Sequence, residues 1–397
     1  MFPPPDEAAT AALSPLLLVA CTACGLVQSA GDGPEEFDDP DAPPPTSSAT
    51  IAAHARGFVD ELIVQGLASI DRRVLELASH RGYLRPFFAE AGITTTVLAP
   101  GPTEARRLAE DGARVMEWPG FGRGTPVAPQ DAEEMDVDSF DLIVDHYLLS
   151  HLDRPRTAIA ALARMLGPGG ALVLETDHLL SIVEETQFDA VRHGHRSYLA
   201  LSWLIRELAN VGLSVCDARI EPVYGGALRL WARPGAPPDE IDRDGRIAAI
   251  TARERAAGLD TAGGLAGFAA SVDRVRSAVR GHLEASRSTG RHVVGYGAPA
   301  RAVTFLNATE IGPELLSVTA DRAPSKQGRV IPGVRLPIVA PDQLRDYLPG
   351  DVLVLAWDLA DEIRTAMPWV EEEGGRWLVG LPDLAIVGEN GKRGALA

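Results

Sequence analysis

The stretch that most narrows the folds open to this chain is 291–358, RHVVGYGAPARAVTFLNATEIGPELLSVTADRAPSKQGRVIPGVRLPIVAPDQLRDYLPGDVLVLAWD. Three apolar runs of strand length, 292–295, 315–319 and 353–356, are separated by a helical segment and a basic loop. The first run breaks at Gly297. A helix is expected to begin near Pro299, because proline is tolerated in a first helical turn. Asp321, Arg322, Lys326 and Arg329 follow the second run, and the third ends in Trp357 and Asp358. A strand, a glycine turn and a helix bring backbone N–H groups and a positive helix end together, which suits a phosphate or carboxylate. The same glycine also reads as a residue that only permits a tight turn.

The alternation recurs upstream. Ile51, Ala55, Phe58, Val59, Leu62, Ile63 and Leu67 have helical spacing, with Ser48 as N-cap. Strands are expected over 73–77, 94–98, 140–144 and 171–175, with helices over 83–90, 104–111 and 154–165. This order predicts an α/β fold, a doubly wound sheet over 49–233. A proline- and glycine-rich linker spans 234–245. A helical segment and a second Rossmann-like α/β domain then fill 246–397. Residues 1–48 form a separate N-terminal segment whose acidic, proline-rich part, 29–48, reads as a loop.

A chain of 397 residues holds two or three domains with real cores. A net charge of −18 argues against binding a nucleic acid polymer but leaves room for a local nucleotide site. Cys21, Cys24 and Cys216 are too few for a disulfide framework, which points to a reducing cytoplasm. No run approaches the roughly 20 apolar residues of a membrane helix, so no membrane partner is expected. Cys21 and Cys24 form one CxxC, whereas a structural zinc site takes four ligands.

Several blocks in order, GYGAPA, Asn307, DRAPSKQGRVIPG and VLVLAWD, resemble the C-terminal domain of the sugar C-methyltransferase family. Those enzymes transfer a methyl group from S-adenosylmethionine (SAM) to a carbon beside the ketone of a nucleotide-linked 4-keto-deoxysugar. The resemblance covers roughly 12–385. It implies a class I methyltransferase fold for 49–233 and makes 1–48 a remnant of a zinc-type segment. CTACGLVQ matches the second cysteine pair of that segment, so Cys21 and Cys24 become weak metal candidates. Zinc is not expected unless a partner protomer of a homodimer supplies further ligands.

The resemblance also implies site residues. The family's EIGSNDG corresponds to Glu76-Leu77-Ala78-Ser79-His80-Arg81-Gly82, and its VEP to Leu98-Ala99-Pro100. Glu76, Ala78, Ser79, Gly82 and Ala99 would therefore face SAM, with alanine replacing both the first glycine and the ribose acid. In HYLLSHLD, His151 matches the histidine of ANxxxHxxD and His146 stands for its asparagine. In QFDAVRHGHRSYLAL, His193, His195 and Tyr198 match EFDTIYHEHxSYFS, while Arg192 and Gly194 replace Tyr and Glu. His195 would be the general base, as a near-neutral pKa suits a histidine to that task. His151 or Arg192 would hold the enolate. Gly225 and Gly226 match a glycine pair, and with Tyr198, Tyr296, Gly297, Asn307, Asp321, Lys326 and Arg329 they are the expected substrate contacts.

Three readings follow. The first is a SAM-dependent C-methyltransferase of deoxysugar or natural-product biosynthesis, acting on a nucleotide-sugar or another anionic keto compound. The second is a methyltransferase-fold epimerase, isomerase, lyase or cyclase on a keto substrate. The third is a non-catalytic partner of an active homologue.

Overall fold

A computed structural model of the chain describes residues 2–8, 14–30, 45–77, 82–99, 102–117, 139–261, 263–388 and 393–395. Two large sheets and one small one organise it. Ser48 caps the first long helix, Ala49–Val64, by accepting from Ile51 N at 3.3 Å, a standard way to satisfy an orphan N–H.

The small sheet contains the hairpin β1 (Leu17–Ala20) and β2 (Val27–Ala30). Strand β2 therefore takes in Ser29 and Ala30, which the sequence assigns to a loop; 31–44 lie outside the described residues. The central sheet comprises β3 (Val74–Leu77), β4 (Thr95–Ala99), β5 (Arg114–Glu117), β6 (Phe140–His146) and β7 (Leu166–Asp177), joined later by two further strands. After β7 comes β8 (Ser197–Tyr198), which leaves this sheet and pairs antiparallel with β2 of the hairpin. The sequence places no strand at β8. Strands β9 (Leu213–Glu221) and β10 (Ala227–Pro234) complete the central sheet in the order β5-β4-β3-β6-β7-β10-β9. Strands β3 to β7 run parallel and β10 is antiparallel to both neighbours.

Alternate residues of each central strand enter different cores. Leu75, Ile143, Leu172 and Leu230 face one, and Val74, Val144, Val173 and Trp231 face the other, beneath the helix Ala49–Val64. Burial on both faces is what a parallel sheet requires. The helix Arg246–Ala256 and Leu259 also join the first of these cores through Ile250. This corrects the division at 246: the chain crosses to the second half only with the helix Phe268–Ser288, whose Val275, Val279 and Leu283 enter the other domain's core.

The second half carries β11 (Val293–Tyr296), β12 (Thr319–Ala320), β13 (Val330–Ile331) and β14 (Leu336–Val339). Strands β15 (Asp351–Val354), β16 (Arg376–Val379), β17 (Ala385–Val387) and β18 (Arg393–Ala395) follow. Their order is β13-β14-β12-β11-β15-β16-β17-β18, with β14, β12, β11, β15 and β16 parallel. Gly297 follows β11 at φ 99°, and a Cβ there would lie 3.2 Å from Ala356, so the expected glycine turn is real and tight. The helix Ala300–Thr309 begins one residue after Pro299. Of 315–319 only Thr319 belongs to β12, although Ser317 N and the Val318 carbonyl already bond to Val293 and Gly295 of β11.

The halves interlock at the carboxyl edge of the central sheet. Phe188 of the first half stacks on Phe305 of the second at 5.6 Å. Asp189, buried, accepts from Arg301 at 3.0 Å and from the Trp357 indole at 2.8 Å. Arg301 also donates to Gln187 and to the Tyr224 carbonyl, both at 3.2 Å. Glu362 of the second half accepts from Ser48 Oγ at 2.7 Å and Thr50 N at 3.0 Å, at the start of the first helix.

Gly225 sits in this seam at φ 85°, where a Cβ would meet Trp357 at 2.5 Å and the Gln187 amide at 2.7 Å. Gly225→Ala is expected to lower stability by about 2–4 kcal/mol through overpacking and backbone strain. Gly235→Ala, at φ 57° but in open space, should cost only about 1 kcal/mol. Thermal unfolding of the two variants checks the difference.

Candidate functional site

The carboxyl ends of β3, β4, β6 and β7 converge where the second half docks, the place at which open α/β sheets bind ligands. Four groups of side chains meet there.

At the end of β7, Asp177 Oδ2 lies 2.8 Å from His195 Nδ1. Burial works against the charge on Asp177, but His195, Arg192 and Arg301 together hold its carboxyl below the usual range. An ionised Asp177 fixes the neutral His195 ring with its proton on Nδ1 and its lone pair on Nε2. Arg192 contacts that Nε2. His151 meets His195 edge-on, with ring centres 4.6 Å apart, and its Nδ1 lies 2.7 Å from the Gly194 carbonyl. In the neutral ring that bond puts the proton of His151 on Nδ1 and makes Nε2 an acceptor. Tyr198 is buried in β8, and its hydroxyl accepts from Arg192 N at 3.1 Å. His193, half-buried, lies in the same turn, with no hydrogen-bond partner for its Nε2 among the described residues.

The loop bearing these groups is held from both sides. Thr304 of the second half donates to the Val191 carbonyl at 2.9 Å, and Ser29 of the hairpin donates its N–H to the Arg196 carbonyl at 3.1 Å. Arg196 also pairs with Asp153.

The second group lies at the ends of β3 and β4. Glu76 is fully buried; Oε1 accepts from Leu84 N at 2.7 Å, and Oε2 has no partner among the described residues. Burial pushes its carboxyl up to about 7. Gly82 has a left-handed φ of 72°, and Ala99 is buried at the end of β4. Ala78 and Ser79 lie outside the described residues.

A third group surrounds the end of β6. Asp145, raised to about 7 by burial, accepts from Leu148 N at 2.9 Å and Leu149 N at 3.1 Å, and so shapes the turn that ends at His151. His146 stacks on Tyr83 at 3.7 Å and sits 3.3 Å from Glu175. Glu175 is fully buried, yet hydrogen bonds from His146 and His54 and the Arg229 charge outweigh that burial and keep it ionised. Counting back four residues from His151 reaches Tyr147, not His146. Tyr147 has φ 68°, a left-handed value that asparagine tolerates and tyrosine rarely adopts. The backbone thus assigns the family's asparagine position to Tyr147, correcting the assignment to His146.

The fourth group, in the second half, is mostly committed to the chain itself. Asn307 donates to Val303 and Pro332 carbonyls at 2.8 and 2.9 Å, and fills the space beside Gly333. Asp321 accepts from Ala298 N at 2.7 Å, Ala323 N at 2.8 Å and Lys326 Nζ at 3.3 Å. Lys326 also donates to the Ala298 carbonyl, and Arg329 to the Phe2 carbonyl, at 2.9 and 2.8 Å. These four residues hold turns in place through hydrogen bonds within the chain. Tyr296 is buried against Trp377, and a Cβ at Gly226 would collide with Ser181 at 2.6 Å. Asp177, Asp189, Arg301, Trp357 and Tyr147 are site residues that sequence reasoning did not list. An acid at the carboxyl end of a strand was the one available signal, for Asp177.

The donor set fits the ammonium end of SAM, for which the unpartnered Glu76 oxygen is a buried acceptor. Ala99 offers the ribose no acceptor. Cys21 and Cys24 flank a turn closed by Gly25 N donating to the Cys21 carbonyl at 2.7 Å. Among the described residues no cluster of three or more His, Cys, Asp or Glu side chains forms, and two thiols do not complete a tetrahedral zinc site. No helix among the described residues is long and apolar enough to cross a membrane.

Residues 51–218 match a family described as methyltransferase domain, and residues 222–382 one described as C-methyltransferase C-terminal domain. The C-methyltransferase NovU of Streptomyces niveus is 28% identical over 389 residues, covering 96% of this chain and 90% of NovU. Among solved structures, the CcbJ methyltransferase of Streptomyces caelestis is 16% identical with a TM-score of 0.35, covering 51% of this chain and 94% of that one. Magnesium protoporphyrin IX methyltransferase of Synechocystis PCC 6803 is 15% identical with a TM-score of 0.36, covering 52% of this chain and 90% of that one. With its two domains matched in order and NovU alignable along nearly its whole length, the chain is similar throughout to C-methyltransferases, which supports a methyltransferase of the sugar C-methyltransferase kind.

Proposed function

We propose that this enzyme methylates a carbon α to the ketone of a nucleotide-linked keto-deoxysugar, with His195 as the general base. The observation that carries this reading is the Asp177–His195 pair at the carboxyl end of β7, with His195 buried, Asp177 half-buried and the His195 lone pair directed away from Asp177. SAM, when bound, supplies an electrophilic methyl group. His195 Nε2 takes the α-proton, and the C–H electron pair moves into an enolate. The imidazolium that forms gains a salt bridge to Asp177, so the pair is stronger after proton transfer than before it, the condition for catalysis. Arg192, on Nε2 beforehand, yields that atom to the substrate and keeps a positive charge beside the developing oxyanion. Arg301, held protonated by Asp189, Asp358 and Asp177 against the cost of burial, adds to the same field. His151 acts as a neutral acceptor that packs the base rather than as an enolate donor.

Ala99 favours a second reading, in which the same base removes the proton without methyl transfer. Calorimetric titration with SAM separates the two. Binding with transfer of labelled methyl to a 4-keto-6-deoxyhexose nucleotide supports methylation, and no binding at millimolar SAM refutes it. His195→Ala is expected to cut methyl transfer at least about 100-fold with SAM affinity unchanged.

Glu76→Gln should weaken SAM binding roughly 10- to 100-fold, the cost of losing a charge-assisted hydrogen bond. The same variant has a signed effect on stability. The folded Glu76 holds its proton up to about 7, above the ordinary 4.5, so its burial destabilises progressively as pH rises from 4.5 to 7. Melting curves should therefore show Glu76→Gln more stable than the parent at pH 8 and equal to it near pH 4.5.

A further inference from the structure

Three tyrosine hydroxyls gather near the carboxyl end of β6 and the amino end of β10, and one of them is left over. Those of Tyr83 and Tyr224 bond each other, and Tyr83 also donates to the Ile51 carbonyl at 3.1 Å. Tyr147 Oη is buried with no hydrogen-bond partner among the described residues. Its residue is only 5% exposed, and its ring meets those of His146 and Tyr224 edge-on at 4.7 and 5.2 Å. A buried donor without an acceptor is costly. A left-handed tyrosine is costly too, and strain of this kind gathers at functional positions.

The surroundings show what this hydroxyl faces. The charges of Glu175 and Asp177 both bear on it, and with burial they keep the phenol protonated well above its ordinary range. Glu175 has its acceptors engaged by His54, His146 and Arg229. Asp177 is engaged by His195. Tyr147, whose N–H bonds the Glu175 carbonyl at 2.7 Å two residues before Asp177, thus brings to this edge of the sheet a donor that the described residues do not use. Deprotonation α to a ketone needs such a donor for the oxygen that becomes negative. In the tautomer whose Nδ1 proton bonds Gly194, neutral His151 offers no donor there.

We infer that the Tyr147 hydroxyl donates the hydrogen bond that holds the substrate's keto oxygen as it becomes an enolate. The inference rests on the proposed α-deprotonation by His195. In the step, the α C–H bond breaks, the proton moves to His195 Nε2, and the electron pair passes to the oxygen bonded by Tyr147. The phenol keeps its own proton throughout.

Tyr147→Phe removes the hydroxyl and keeps the ring. It is expected to lower kcat for α-proton exchange and for methyl transfer about 100- to 1000-fold, the usual loss on deleting one oxyanion donor. SAM affinity should stay within twofold, and the melting temperature should hold or rise, because the unpartnered donor is gone. A merely structural tyrosine would show the reverse: activity within threefold of the parent, or a fall in melting temperature with weaker SAM binding. Either result overturns the inference. If His195→Ala abolishes exchange while Tyr147→Phe does not, the base stands and the tyrosine falls. A parent enzyme with no α-proton exchange would remove both.

Discussion

The buried contact of Arg301 and Trp357 with Asp189 is the interaction on which the rest depends. Asp189 sits three residues before Arg192 and six before His195, so the second half sets the position of the loop that carries His195. Phe188 enters the second core on one side of that contact and Thr304 holds Val191 on the other. Two Rossmann-like sheets packed through so small a seam would otherwise be free to move, as inter-domain interfaces commonly are. The glycine at 225 belongs to the same seam: without it, Trp357 could not reach Asp189.

The electrostatics follow from that geometry. Four acids approach the carboxyl edge of the central sheet, and the protein treats them differently. Asp177 and Glu175 are ionised because histidines and arginines surround them. Glu76 and Asp145 meet mostly backbone N–H groups, and burial raises both. Carboxylates pushed apart in this way, within one crevice, mark acid–base chemistry more clearly than any single residue does. The His195 side of the crevice is the charged one, and the Glu76 side holds an acid whose charge burial suppresses.

Much of the fold was legible in the sequence, because short apolar runs alternating with amphipathic helices leave few arrangements. The strands at 74–77, 95–99 and 293–296 lie within a residue or two of their expected places. Strand β8 was not legible: Ser197 and Tyr198 form it only because the distant hairpin offers an edge. Helix Arg246–Ala256 carries a single apolar face that fits either core, and sequence cannot choose between them. That His195, His151 and Arg192 come together was foreshadowed by their places on two matched motifs, and the structure brings the three side chains into contact. Arg301, 106 residues from His195 in the chain, needed coordinates; Tyr147 is reached by counting back from His151, and only its φ of 68° and its hydroxyl, unpartnered among the described residues, needed them. The turn-holding bonds of Asn307, Asp321, Lys326 and Arg329 were not legible, because a polar loop after a strand looks the same whether it binds a ligand or ties its own turn.

The central claim, that Asp177 and His195 make a base for a carbon α to a ketone, is tested most directly by proton exchange without the methyl donor. A nucleotide-linked 4-keto-6-deoxyhexose is incubated with the enzyme in D2O, and loss of its α-proton signal is followed by NMR. The account predicts wash-in of deuterium by the parent enzyme and none above background with His195→Ala. Equal exchange by the two proteins would contradict it.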